Sequence, residues 1–164
     1  MNEISLTIRQ AQPADGPTVL ALIQALADFE KLDPPDDAAQ QRLLADAFGE
    51  RPRFDIFLAE IAGAVVGYAF VFETYSTFLA RPTLYLEDLF VLPDYRQQRV
   101  GYALFSYCAA EAGRRGCGRM EWTVLDWNTN AITFYERQGA RHLGEWLHYR
   151  LDETAIAQFA AQPD

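Results

Sequence analysis

Two adjacent carboxylates stand inside an apolar stretch, the sequence "LYLEDLFVLP". Glu87 and Asp88 interrupt a run that otherwise predicts a strand, and mere solvation is an awkward explanation for both, since buried carboxylates are costly without partners. In a regular strand the two side chains point to opposite faces. The pair suits a cationic ligand, although exposed acids usually serve solubility alone.

A second candidate site follows directly, in the loop "RQQRVG". Arg96 and Arg99 lie at its two ends, and Gly101 lets backbone N–H groups approach a ligand oxygen closely. Because the loop leads into a helix N-terminus, which favours negative charge, it is a candidate phosphate site. A helix entry with two solvated arginines explains the same residues equally well on composition alone.

Hydrophobic periodicity predicts the elements that position these residues. A strand from Ile4 to Arg9 precedes a helix over "PADGPTVLALIQALADFEKL", and Asp36 or Asp37 caps a second helix that ends at Phe48. The stretch "FDIFLAEIAGAVVGYAFVFETY" predicts a hairpin that turns near Ala62 and Gly63.

The carboxylate pair lies on the next strand, which Pro93 ends, and a helix follows the loop. The remaining elements are a strand from Met120 to Asp126, a helix that Asn128 begins and Gly139 ends, a last strand in "EWLHYRLD" and a short helix or tail in "ETAIAQFAAQ". This order predicts the α/β class, a mixed sheet with helices on its faces, in one domain over residues 1–164.

Charge and cysteine content limit the class of protein. The net charge of -9 and the pI of about 4.7 have the wrong sign for a protein that binds nucleic acid non-specifically. The N-terminus "MNEISLTIRQ" lacks the basic and apolar regions of a signal peptide, and we expect a cytoplasmic protein with no membrane partner. Cys108 and Cys117 form neither a disulfide framework nor a metal-ligand set, and Cys108 is predicted to be a small core residue.

The stretches "YLEDLFVLPDYRQQRVGYAL" and "VLDWNTNAITFYERQGA" together resemble the GNAT superfamily of acyl-CoA-dependent N-acetyltransferases. The phosphate loop of that family reads Arg/Gln-x-x-Gly-x-Gly/Ala, and its register falls on Arg96 to Gly101. The second motif falls on Asn128, Phe134, Tyr135, Gly139 and Ala140. The chain is most similar to the diamine (spermidine/spermine) and thialysine acetyltransferase branch, which shares "YLEDLFV" and "LDWN".

The resemblance implies a GNAT fold: a mostly antiparallel, twisted sheet of about six to seven strands, splayed at the cofactor site and flanked by helices. It implies that acetyl-CoA is the cofactor and that the strand before the loop pairs with the pantetheine arm, while the strand beginning at Met120 splays away. The cofactor-binding residues implied are Leu89, Phe90, Val91, Arg96, Gln97, Gln98, Arg99, Val100, Gly101, Tyr102, Asn128, Ala131 and Tyr135.

The same resemblance implies direct attack of an amine on the thioester. Tyr135 matches the tyrosine that protonates the leaving thiolate, although an amphipathic helix would carry a core tyrosine in the same way. Glu87 would take the proton of the amine through water, with Asp88 assisting. The further substrate contacts implied are Phe29, Glu30, Trp122 and Glu145, and a core role explains Trp122 equally well.

Arg99 stands where the family usually has its first loop glycine. A positive φ would strain an arginine there, and we expect a negative φ, with the guanidinium adding a cation beside the phosphates.

The predicted activity is acetylation of a polyamine or another small primary amine, in a homodimer. The alternatives are a lysine-like amino acid such as thialysine, an antibiotic or a protein N-terminus as the acceptor, and a non-catalytic regulator that binds acyl-CoA.

Overall fold

The computed structural model describes residues 5–161, which fall into two compact units, residues 5–123 and residues 124–161. The first unit contains β1 (Leu6–Gln10), α1 (Gly16–Glu30), α2 (Asp37–Phe48), β2 (Asp55–Ile61), β3 (Ala64–Ser76), β4 (Arg81–Val91), α3 (Val100–Arg114) and β5 (Arg119–Glu121). The second contains α4 (Thr129–Arg137) and α5 (Glu153–Ala160). Ile4, where the first strand was predicted to begin, lies outside the described residues.

The strands form a sheet in the order β1-β2-β3-β4-β5. All neighbouring pairs are antiparallel except β4 and β5, which pair in parallel over three residues, from Thr83–Arg119 to Tyr85–Glu121. The mixed α/β fold class is thereby confirmed, whereas the prediction of six to seven strands was too high for the part of the chain that is described.

Helices cover both faces of this sheet, as predicted. The side chains of α1 and α2 pack on one face with Leu58 of β2 and Phe90 of β4, and the side chains of α3 pack on the other with Phe57 and Leu86. Because both faces are covered, β2 has apolar side chains at successive positions, whereas a strand with one exposed face alternates between apolar and polar residues. Cys108 is buried in the second cluster, which confirms its predicted core role.

Local signals account for the boundaries of several elements. The Asp36 side chain accepts a hydrogen bond from the backbone N–H of Ala39 at 2.8 Å and so caps α2. Ala62 and Gly63 both have positive φ values, of 51° and 81°, which match the turn that joins two twisted antiparallel strands in two residues. The predicted cap and hairpin are both confirmed.

Two predicted strands were wrong. The strand from Met120 to Asp126 is reduced to β5, which ends at Glu121, and "EWLHYRLD" contains no strand. A strand needs a neighbouring edge to satisfy its N–H and C=O groups. The second unit has no strand among its described residues, and Trp146 and Tyr149 in this segment are 74% and 84% exposed.

No helix within residues 5–161 combines the length and the apolar character that crossing a bilayer requires.

Candidate active site

The predicted carboxylate pair lies at an irregularity in β4. Asp88 pairs with Phe70 of β3 and Leu86 pairs with Val71, so that Glu87 is an extra residue in the ladder. Leu86 and Leu89 both pack in the cluster with α3, whereas Asp88 and Phe90 lie towards the other face. The prediction that Glu87 and Asp88 point to opposite faces assumed the regular alternation of a strand. This β-bulge interrupts that alternation and changes the direction of the side chains beside it.

Asp88 is held by a tyrosine that sequence reasoning missed. The hydroxyl of Tyr68 on β3 donates a hydrogen bond to Oδ2 of Asp88 at 2.9 Å, and the Tyr68 side chain is fully buried. Burial raises the pKa of Asp88 to about 6, the Tyr68 hydrogen bond opposes that rise, and the negative charges of Glu87 and Glu30 add to it. Burial, followed by the charge of Asp88, also raises the pKa of the Tyr68 hydroxyl.

A third carboxylate comes from the end of α1. Glu30 is partly buried, and this burial raises its pKa. Its charge raises the pKa of Asp88, as does that of Glu87, so both carboxylates act electrostatically on Asp88. Phe29 precedes Glu30 and lies 6.4 Å from Phe90, measured between ring centroids. Four of the residues predicted to bind substrate are therefore brought together: Phe29, Glu30, Glu87 and Asp88.

Trp122, a further predicted substrate residue, does not join this group. Trp122 packs edge-on against Phe105 of α3 at 5.3 Å between ring centroids, in the cluster on the opposite face of the sheet. That position agrees with the core role that the sequence left open. Glu145 is exposed in the second unit, in a segment without regular secondary structure.

The loop after β4 contains two residues in the left-handed region, Gln97 with φ 62° and Arg99 with φ 63°. The expectation of a negative φ at Arg99 was wrong. The physical reason is the route of the chain: the turn into α3 demands a left-handed residue at the position before Val100, whatever residue the sequence supplies there. The Arg99 guanidinium lies 5.2 Å from the centroid of the Tyr102 ring.

The start of α3 has the features of an anion site. Its first intrahelical hydrogen bond runs from the N–H of Ala103 to the C=O of Arg99, so the N–H groups from Val100 to Tyr102 precede the helical ladder. A Cβ added at Gly101 would meet only the Val91 side chain, at 3.8 Å, so internal packing does not demand glycine there. Space beside open N–H groups fits a phosphate that approaches the backbone closely.

Arg96 lies towards the carboxylate side of the sheet. Its Nε donates a hydrogen bond to the C=O of Val91 at 3.0 Å. Its guanidinium lies 4.7 Å from the ring centroid of Phe29 and 5.6 Å from that of Phe90. Arg96 therefore contacts both the backbone at the end of β4 and the rings of Phe29 and Phe90.

The edge of β4 is open next to the loop. The pairing of β4 with β5 stops at Tyr85 and Glu121, so among the described strands residues 88–91 pair only with β3. Backbone N–H and C=O groups on an unpaired edge can bind an extended ligand. This geometry fits the predicted pairing of Leu89, Phe90 and Val91 with the pantetheine arm.

In the second unit, the Asn128 side chain accepts a hydrogen bond from the N–H of Ala131 at 3.2 Å, which confirms the predicted cap of α4. Tyr135 lies on this helix, partly buried, with its ring 5.2 Å from that of Phe134. Gly139, with φ 87°, follows the end of the helix as predicted. Within residues 5–161, no group of three or more potential ligands is arranged to hold a metal ion.

The open N–H groups before α3, the open edge of β4 and the mixed sheet together fit a protein that binds an extended ligand with a phosphate group. The sequence model of the Acetyltransferase (GNAT) family matches residues 20–140, and the chain belongs to that family. It is an N-acetyltransferase that transfers acetyl from acetyl-CoA to an amine.

The curated relatives include mouse thialysine N-ε-acetyltransferase, 37% identical over 96% of this chain and 99% of the relative. L-ornithine N5-acetyltransferase NATA1 of Arabidopsis thaliana is 31% identical over 91% of this chain and 85% of its own. Human spermidine/spermine N(1)-acetyltransferase-like protein 1 is 29% identical over 93% of this chain but only 23% of its own.

Solved structures share the fold. An integron cassette protein of V. cholerae superposes with a TM-score of 0.81 over 98% of this chain and all of its own, at 22% identity. A possible acetyltransferase of Clostridium difficile has a TM-score of 0.79 over 92% of this chain and 98% of its own, at 18% identity.

Proposed function

We propose that this enzyme acetylates the terminal primary amine of a small diamino compound, with an ω-amino amino acid such as thialysine or ornithine as the first candidate. The observation that carries the proposal is a set of three carboxylates: Asp88 and Glu87 on β4, next to its open edge, and Glu30 at the end of α1, with the charges of Glu30 and Glu87 both acting on Asp88. Three neighbouring carboxylates favour a ligand that carries more than one positive charge. The relatives named for thialysine and L-ornithine act on amino acids with a second, distal amine.

A polyamine is the second candidate acceptor. The human relative named for spermidine and spermine supports it, and so does the carboxylate set, because a polyamine has no negative group to repel. An amino acid also carries a carboxylate, which needs a cation. Arg96 beside Phe29 is a candidate for that contact, because its guanidinium lies on the same side of the sheet as Glu30 and Asp88.

The proposed reaction is direct attack of the neutral amine on the thioester carbon. The new C–N bond replaces the C–S bond, and the thiolate of CoA leaves. An alkylammonium has a pKa of about 10, so it must lose a proton before it can attack. We assign that proton to Glu87 through water, with the Asp88 carboxylate adjacent, and the protonation of the leaving thiolate to Tyr135.

We assign acetyl-CoA to the residues on which the two family motifs fall. In this assignment the backbone of Leu89, Phe90 and Val91 binds the pantetheine arm. Gln97 to Tyr102 bind the pyrophosphate through N–H groups and the Arg99 side chain, Arg96 supports the loop, and Asn128 and Ala131 contribute from the second motif.

A panel of amines tests the proposal. The release of free CoA thiol from acetyl-CoA would be measured with thialysine, lysine, ornithine, spermidine and putrescine, and with Nε-acetyl-lysine as a control whose terminal amine is blocked. We expect the highest kcat/KM with an ω-amino amino acid and no turnover with the control. A clear preference for spermidine would favour the second candidate.

Binding without catalysis would point to a different class of protein. If calorimetry detected acetyl-CoA binding but no amine on the panel were acetylated, the proposed acceptors would be wrong and an acyl-CoA-binding regulator would be favoured.

We further propose that the enzyme is a homodimer. Three large side chains in a segment without regular structure, those of Trp146, Leu147 and Tyr149, are 74–84% exposed, and large exposed apolar side chains are typical of interfaces. Light scattering at micromolar concentration should give twice the chain mass of 18.6 kDa, and a monomer mass would contradict this assignment.

A further inference from the structure

Tyr68 has an unusual position for a polar side chain. It lies in the middle of β3 with no exposed surface, in the cluster formed by Leu58, Phe90 and residues of α1. A buried tyrosine hydroxyl requires a partner, and here that partner is the Asp88 carboxylate at 2.9 Å. The rest of the Tyr68 side chain could be a phenylalanine without loss of apolar packing.

The β-bulge makes this hydrogen bond possible. With Glu87 as the extra residue, the alternation of β4 shifts by one position, and Asp88 lies on the same side as Phe90, whose strand partner is Tyr68. A regular ladder would direct Asp88 towards the face that α3 covers, where Leu86 and Leu89 pack. The bulge and the tyrosine together fix the position of one carboxylate of the proposed amine site.

The charges around Asp88 oppose its ionisation. Glu30 faces it from α1 and Glu87 from β4, and both act with burial to raise its pKa. Tyr68 from β3 is the hydrogen-bond donor that stabilises the charged form. Among the cations of the loop, Arg96 has its guanidinium over Phe29 and Phe90, on the same side of the sheet as Asp88. An Asp88 that took up a proton would lose the negative charge that attracts an ammonium group.

We propose that Tyr68 is a positioning residue of the amine site, whose hydroxyl holds the Asp88 carboxylate in place and in its charged form for the incoming ammonium group. The inference rests on the proposed function, because Asp88 is assigned there to the amine. It also gives Tyr68 a role in specificity for cationic acceptors, since a neutral Asp88 would no longer favour them.

The test is the variant Tyr68→Phe, with Tyr85→Phe as the matched control. Tyr85 lies on β4 with its ring against Phe72, and the tyrosine that donates to Asp88 is Tyr68, so Tyr85→Phe removes a hydroxyl from the same strand as Asp88 without removing that hydrogen bond. A hydrogen bond to a charged group is worth about one pKa unit or more. Tyr68→Phe should therefore move the acidic limb of the kcat/KM profile upwards by about one pH unit, and Tyr85→Phe should leave it in place.

The size of the effect depends on pH. A shift of the Asp88 pKa from about 6 to about 7 lowers its ionised fraction at pH 6 about fivefold and barely changes it at pH 9. A purely structural role would instead lower kcat/KM by the same factor at every pH. Asp88→Asn should remove this limb, and adding Tyr68→Phe to that variant should cause no further pH-dependent change.

A second measurement keeps the inference separate from the proposed function. The 13C chemical shift of the Asp88 carboxyl group, followed by NMR against pH without substrate, should titrate about one unit higher in Tyr68→Phe than in the wild type. An unchanged Asp88 titration in a folded variant would refute the role of Tyr68. A shifted titration in an enzyme that acetylates no amine would uphold the Tyr68–Asp88 coupling and reject the proposed function instead.

Discussion

Arg99 provides a measurable test of how the phosphate loop is built. Its backbone has φ 63° and ψ 10°, the left-handed conformation, immediately before α3. This conformation costs an L-residue roughly 1–2 kcal/mol, whereas glycine adopts it without steric cost. Glycine, however, has more freedom to lose on folding, by about 0.5–1 kcal/mol. The difference predicts that Arg99→Gly is more stable than Arg99→Ala by about 0.5–1 kcal/mol.

The comparison of these two variants isolates the backbone. Both lose the contact of the guanidinium with Tyr102, so that contribution cancels. A chain of this length changes its Tm by about 2–4 °C per kcal/mol, and R99G should therefore melt about 2 °C above R99A. Thermal unfolding followed by circular dichroism, with urea unfolding to obtain the free energy, would measure the difference.

Gln98 is the matched control position, because it is the next residue in the same loop and is not among the residues with positive φ. At Gln98 no positive φ favours glycine, so the larger conformational entropy that glycine loses on folding should make Gln98→Gly less stable than Gln98→Ala. The same order at both positions, with alanine the more stable at each, would refute the backbone argument. Calorimetry with CoA would then separate the second role of Arg99, since R99G and R99A should both bind CoA more weakly if its guanidinium contacts a phosphate.

Two further predictions concern the second unit and the ion pair near the N-terminus. Tyr135→Phe should lower kcat about ten- to a hundredfold through loss of the proposed acid, whereas Tyr149→Phe at an 84% exposed position should not. Steady-state kinetics with the best acceptor of the panel would measure this, and an unchanged kcat in Tyr135→Phe would reject the assignment. The ion pair with Arg9 lowers the pKa of Asp15 to about 2, so the pair stabilises the fold above about pH 4 and this contribution is lost as the pH falls towards 2. Asp15→Asn should be less stable than the wild type by about 1 kcal/mol at pH 7 in urea unfolding, and a difference of the same size at pH 2 would contradict this cause.

Much of the candidate site could be predicted because its signals are local in the chain. The spacing of Arg96 and Gly101 after a strand, and the cap at Asn128, each depend on residues a few positions apart. The apolar side chains of α1 recur with helical period, and Gly63 marks the hairpin turn. These features depend on backbone preferences and hydrogen bonds within one element. The local sequence determines both directly.

The errors all fall where distant segments had to meet. "EWLHYRLD" has the alternation of a strand, but its own unit contains no described strand with which it could pair. The sign of φ at Arg99 followed from the route between β4 and α3 and not from the residue type. Pairing partners and loop routes are properties of the assembled chain, so a single sequence does not display them.

The sequence by itself determined the family, the proposed acyl-CoA loop and the acidic character of the proposed amine site, because residue types a few positions apart indicate each of them. Only the tertiary structure decided how the acids are arranged. The ladder between β3 and β4 places the bulge at Glu87, which turns Asp88 to Tyr68, a residue 20 positions away in the chain. The end of α1 adds Glu30 to the same environment. The proton affinity of Asp88 arises from burial and from those neighbours, and both exist only once the sheet and its helices have packed.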